Sequence, residues 1–263
     1  MSSTGLNNEP STGTVVRAAR LLEMFTPEHP ELSLSALTSR LGYNKATTYR
    51  LAQTLVSVGY LEQDETSRAY RLGLALIRLG QVASANSDVR SRAMEQMSRL
   101  RDTFGETVYL LVARDDRSVC IERLEGTKPV RDLSATPGDA FPLFVGAGGM
   151  SMLATMSDAE RSRVLDAGEL TPEERGTIET QLLDCTTRGY STATGDVSLG
   201  AGAVAAPIFD HNGALAGALS IGGARQQIID RREELGQAVA EAARLASGTA
   251  TGSATGSATG ARR

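Results

Sequence analysis

Three kinds of residue in this 263-residue chain could do chemistry. The first is a run of cations. From Leu32 to Leu61 the chain carries Arg40, Lys45 and Arg50 and no acidic residue, although its formal net charge is -4. A local reversal of sign of this kind suits contact with nucleic-acid phosphates. The second is Cys185 with His211, the one plausible nucleophile and base pair. No third group is placed to orient the imidazole, so no catalytic residue is assigned. The third is glycine. Gly200-Ala201-Gly202-Ala203-Val204-Ala205 satisfies a loose dinucleotide pattern, but it leads into a strand containing Pro207 where that fingerprint should open a helix. Gly146-Ala147-Gly148-Gly149 lacks the Lys-Ser/Thr of a phosphate loop. No cofactor is expected. Cys120 and Cys185 have no Cys-x-x-Cys spacing, and His29 and His211 are the only imidazoles, so no metal site or disulfide framework is expected and both thiols read as buried. The pairs Asp115-Asp116 and Glu173-Glu174 are sequence neighbours that do not converge on one point, and they read as solvated turn and helix-start charges.

The cations need a scaffold, and the hydrophobic spacing supplies one. Leu34, Leu37 and Leu41 fall on one face of a short helix, Gly42 breaks it, and Thr48, Leu51, Ala52 and Leu55 form the buried stripe of a second helix at i, i+3, i+4, i+7. This is a helix-turn-helix. Its second helix enters the major groove, so the residues off the stripe, Lys45, Ala46, Thr47, Tyr49, Arg50 and Gln53, are the candidates for touching bases and phosphates. Asn44 stands where an N-cap belongs, its side-chain oxygen able to accept the N–H of Ala46 or Thr47. Downstream, Gly59-Tyr60-Leu61-Glu62 and Ala69-Tyr70-Arg71-Leu72 alternate around a polar turn, making a wing whose Arg68 and Arg71 suit phosphate or the minor groove.

The stretch GYNKATTYRLAQTL, followed by VGYLEQD and YRLG, resembles the winged helix-turn-helix of the IclR family of bacterial transcription regulators. The segments GDAFPLFVGAGGMSMLA (residues 138–154) and RGYSTATGDVSLGAGAVAAPIFDHNGALAGALSIGG (residues 188–223) resemble the two most recognisable stretches of that family's effector-binding domain.

The remaining patterns give an α+β chain of two domains: a disordered N-terminus over residues 1–11, the winged helix-turn-helix over 12–73, a linker helix over 74–87, an effector-binding domain over 88–247 and a low-complexity, disordered TGSA-type tail over 248–263. In the second domain a helix is expected over Asp88–Phe104, then a hairpin of Thr107–Ala113 and Ser118–Gly126, and a third strand over Val130–Ala135. Helices follow over Phe144–Met156, Asp158–Asp166 and Thr171–Arg188. Strands over Ala203–Phe209 and Ala214–Ile221, joined by an Asn-Gly turn, precede a last helix over Gln226–Ala246. No apolar run approaches the ~18 residues of a membrane helix, and the N-terminus has no leader pattern, so a cytoplasmic protein is expected.

The resemblance implies that the second domain is GAF-like, with an antiparallel sheet and an effector pocket walled by Val130, Leu133 and Phe141, then Ala147 and Gly148, then Ala201 and Ala203, and finally Ser220 and Gly222. Amides at Ala147 and Gly148 near a helix start suit a carboxylate. The chain departs from the family at Ala203, where many members have cysteine, and at Gly222, where serine is common. That loss of polar groups moves the expectation toward a larger, partly apolar or aromatic organic acid. The expected partners are double-stranded operator DNA, an inverted repeat read by a homodimer or homotetramer, and a small-molecule effector, with no membrane. A small-molecule-processing enzyme with an N-terminal interaction module, or a ligand-independent DNA-binding regulator, stands as the alternative.

Overall fold

The computed structural model describes residues 13–26, 28–85 and 88–248. The chain divides into two compact units, residues 1–86 and 87–263. The disorder expected over residues 1–11 and 249–263 falls outside the described residues. Gly248, at the head of the expected tail, donates its N–H to the Phe209 carbonyl at 3.0 Å.

The first unit runs α1 (Gly13–Leu22), β1 (Glu31–Leu32), α2 (Leu34–Leu41), α3 (Lys45–Ser57), β2 (Leu61–Gln63), β3 (Tyr70–Leu72) and α4 (Ala75–Ala85). Ser33 caps α2 by accepting the Ala36 N–H, and Gly42 ends it in the left-handed region at φ 68°, a conformation that suits glycine because it has no Cβ. The expected stripe of α3 is its buried face: Thr48, Leu51, Ala52 and Leu55. Leu51, Ala52 and Leu55 pack with Leu21, Leu37, Leu61 and Tyr70 into one small core. The three strands form an antiparallel sheet in the order β1-β3-β2, with Glu62 opposite Arg71. The sequence pattern did not resolve β1, whose two residues are too few to show a period.

The second unit runs α5 (Asp88–Phe104), β4 (Thr107–Arg114), β5 (Arg117–Leu124), β6 (Ala140–Pro142), α6 (Gly146–Leu153), α7 (Asp158–Asp166), α8 (Pro172–Arg188), β7 (Ser191–Thr194), β8 (Ala201–Phe209), β9 (Leu215–Ala224), α9 (Arg225–Asp230) and α10 (Arg232–Ala246). Its sheet is antiparallel throughout, ordered β6-β5-β4-β9-β8-β7. The two-residue period of β4 serves both faces. Val108, Leu110 and Val112 join Val89, Met97, Leu235 and Val239 of α5 and α10 in one core. Tyr109 and Leu111 join Met150, Val164 and Leu182 of α6, α7 and α8 in the other. Ser157 with Glu160, and Thr171 with Glu174, close reciprocal capping boxes at the starts of α7 and α8, satisfying amides that the first turn leaves unpaired.

Two expectations are corrected. Val130–Ala135 is not a strand. The Asp132 carboxylate turns back to accept the Ser134 N–H at 3.0 Å, an Asx turn that curls the backbone out of any ladder, and the edge strand forms later as β6. The last helix is two, α9 and α10, separated at Arg231, whose φ of -112° and ψ of 15° are not helical.

Candidate nucleic-acid interface and effector cavity

Asn44 precedes α3 in extended conformation and its Oδ1 accepts the Thr47 N–H at 2.8 Å. The helix that follows shows Lys45, Ala46, Tyr49 and Arg50 to solvent, with Thr47 half-buried. Thr47 and Arg50 also stand on the rim of a groove between α1 and α3 that Val15, Arg17 and Leu51 help to line. Gln53 is placed differently. Its Nε2 donates to the Tyr70 hydroxyl at 3.2 Å and the Gln63 Oε1 at 3.4 Å, so it ties the recognition helix to the wing instead of projecting freely.

The wing turn is held by Asp64, whose Oδ1 accepts the N–H groups of Thr66 and Ser67 and the Ser67 hydroxyl. Those bonds, the Ser67 amide first, lower the Asp64 pKa from its ordinary value. Arg68 closes the turn at φ 60° with its side chain exposed. Arg71 is exposed but engaged: its Nε and Nη2 both donate to Glu62 Oε2, at 3.0 and 2.9 Å.

In the second unit a small cavity of about 40 Å³ opens between the loop before β6 and the loop between β7 and β8. Ala201 and Ala203 are among the residues that line it, and Val130, Leu133, Phe141, Ala147, Gly148, Ser220 and Gly222 are not. Val130 and Leu133 are 67% and 47% exposed on the loop that replaces the expected strand. Phe141 packs half-buried against the core beneath α6. The Ala147 carbonyl accepts the Ser191 hydroxyl at 2.5 Å. A Cβ on Gly148 would sit 2.7 Å from Leu111 Cδ1, and one on Gly149 2.5 Å from the Leu143 carbonyl oxygen. The small residues of that segment thus let α6 close on the sheet. Ser220 and Gly222 are buried on β9, opposite Tyr109 and Thr107 respectively on β4.

What the sequence pattern missed is Asp132, which lines the cavity with Ser134, Gly146 and Asp196. Asp132 is only 8% exposed. Its Oδ2 fills the space a side chain at position 222 would take, so the glycine there was the available signal. Burial, and then the neighbouring Asp132 carboxylate, hold the Tyr109 phenol well above the usual tyrosine range; its hydroxyl donates to the Asp132 carbonyl at 2.9 Å. The loop carrying Asp132 is anchored at its start by Lys128, which pairs at 2.5 Å with Glu106, a carboxylate 1% exposed. Gly146 begins α6, and no side chain caps that helix.

Among the described residues no group of three or more His, Cys, Asp or Glu is placed to hold a metal, and no helix is long and apolar enough to cross a membrane. Burial pushes the Cys120 and Cys185 thiols up to about 11, the opposite of an activated nucleophile. Gly200 to Ala205 runs into β8, as its Pro207 implied.

A winged helix-turn-helix unit followed by an α+β unit with a cavity at its sheet defines a one-component transcription regulator. Residues 14–65 match the IclR helix-turn-helix domain and residues 81–248 the bacterial transcriptional regulator IclR C-terminal domain. The HTH-type transcriptional regulator KipR of Bacillus subtilis (strain 168) is 32% identical over 237 residues, 88% of this chain and 94% of that protein. The IclR transcriptional regulator structure from Alicyclobacillus acidocaldarius superposes with a TM-score of 0.78 at 28% identity, covering 90% of this chain and 98% of that one. An IclR homolog from Microbacterium hydrocarbonoxydans, complexed with 4-hydroxybenzoate, shares the fold at a TM-score of 0.76 and 24% identity, over 89% and 97%. The chain belongs to the IclR family of transcription regulators. It is a DNA-binding regulator with an effector-binding domain for a small molecule.

Proposed function

We propose that this regulator reads its operator with α3 and the wing, Lys45, Ala46, Thr47, Tyr49 and Arg50 facing the major groove and Arg68 and Arg71 meeting phosphate or the minor groove, while Asn44 and Gln53 position the helix. The observation that carries this reading is the division of α3 into a buried stripe, Thr48, Leu51, Ala52 and Leu55, and an exposed face holding Lys45, Tyr49 and Arg50. One recognition helix spans few base pairs, so two copies sit on an inverted repeat with half-sites about 34 Å apart, as a dimer or a dimer of dimers, in the cytoplasm.

The effector occupies the cavity beside Ala201, Ala203 and Asp132, and it is a small organic acid; the 4-hydroxybenzoate held by the Microbacterium homolog supports that class. Ligand binding there changes how the DNA-reading units are presented. Footprinting over the upstream region of its own gene, repeated with a panel of small acids, tests the reading. A salt-dependent footprint that an acid strengthens or abolishes is expected. Conversion of a bound acid to product, with no specific footprint, would replace this reading with that of an enzyme.

A further inference from the structure

Among the residues that line the cavity are two carboxylates, Asp132 and Asp196. Asp132 is more than nine-tenths buried and Asp196 stands at the rim, and no lysine or arginine is among the residues that line the space. The cation nearest in sequence, Arg131, is exposed. Arg123 donates to the Ala135 carbonyl and to Glu125, and Lys128 is paired with Glu106. Asp132 Oδ1 accepts one backbone N–H, from Ser134, and the Tyr109 hydroxyl, which donates to the Asp132 carbonyl, also neighbours its carboxylate. A buried carboxylate without a cation beside it is costly, and a ligand that brings a positive charge relieves that cost. On the same cavity, Gly146 opens an uncapped helix whose first amides suit an anionic oxygen.

We propose that Asp132 determines effector specificity, and that the acid taken by the pocket also carries an ammonium group: an amino acid, with its ammonium on Asp132 and its carboxylate at the start of α6. This rests on the effector reading above and narrows it. Gly222 belongs to the same device, because any side chain there would collide with Asp132 Oδ2. The apolar side chain of Val197, which lines the cavity, suits an apolar amino-acid side chain.

The test compares L-leucine and L-phenylalanine, each with its deaminated acid (4-methylpentanoate, 3-phenylpropanoate) and its decarboxylated amine (3-methylbutylamine, 2-phenylethylamine), by thermal shift and calorimetry on the full chain. At least one amino acid should bind, and removing its ammonium should weaken binding roughly tenfold or more, as loss of a charge-assisted contact does. Asp132→Asn should erase that preference, and Gly222→Ala, which displaces the carboxylate without removing it, should do the same. Deaminated acids binding as tightly as amino acids, a preference that survives Asp132→Asn, or no response to any amino acid would each overturn the proposal. Operator titration of the wild type without ligand runs in parallel. A specific footprint with no amino-acid preference discards only this inference, whereas loss of specific DNA binding discards the regulator reading itself.

Discussion

On the wing, Arg71 is held by Glu62, and replacing Glu62 with Gln should strengthen DNA binding while slightly weakening the fold. The two residues face each other across β2 and β3, and both guanidinium contacts end on one carboxylate oxygen. With side-chain exposures of 52% and 38%, the pair lies in the range where an ion pair contributes only ~0.2–1 kcal/mol. In exchange the wing gains a cation released from its partner and loses a negative charge that would face phosphate. One additional phosphate contact steepens the dependence of log affinity on log salt by ~0.9, which is roughly 3.5-fold between ~200 and ~50 mM. The gain should be equal for operator and random duplexes, because phosphate contacts carry no sequence information. Fluorescence anisotropy at four salt concentrations, on wild type, Glu62→Gln, Arg71→Ala and the double variant, measures it. The double variant should lose the steeper slope. An unchanged slope in Glu62→Gln would show that Arg71 does not reach DNA. A fall in affinity for both duplexes would show that Glu62 holds Arg71 in its contacting pose.

Thr47→Ala and Arg50→Ala should each weaken operator binding by ~1–3 kcal/mol at fixed salt with little change in melting temperature, checked by anisotropy against a random duplex. Gly149→Ala should destabilise the second unit by ~1–3 kcal/mol in urea, because the new methyl meets the Leu143 carbonyl 2.5 Å away and a backbone oxygen cannot swing aside as a side chain does. Cys120 and Cys185, raised by burial from 9.0 to about 11, should stay unreactive to thiol reagents at pH 8 until the chain unfolds. The sign of their linkage follows from the raised values. Their contribution is complete below pH 9 and is lost as pH climbs toward 11, since the unfolded thiols ionise first. Alkaline unfolding of a Cys120→Ala, Cys185→Ala variant should show a shallower loss over that interval.

What the sequence made legible is what depends on neighbours along the chain. The stripe of α3, the Asn44 cap, the Gly42 turn and the alternation of β4, β5, β8 and β9 are all set within a few residues of one another, by period or by a single local hydrogen bond. Long-range partners decided the rest. Gln53 and Arg71 have the spacing of outward residues, yet Tyr70 and Gln63 capture the first and Glu62 the second. The polar run of β7, Ser191–Thr194, becomes a strand only because β8 pairs with it. The glycines after Val145 signalled a close approach of backbone, and a close approach occurs, of Leu111 at Gly148 and of Leu143 at Gly149. Asp132 is the sharpest case. Between Val130 and Leu133 it reads as a charge on the solvent side of a strand, and its burial depends on a residue ninety positions later having no side chain. The absence of the serine expected at Gly222 was visible in the sequence as a lost polar group. In the folded chain the space beside that position is taken by the Asp132 carboxylate from another segment.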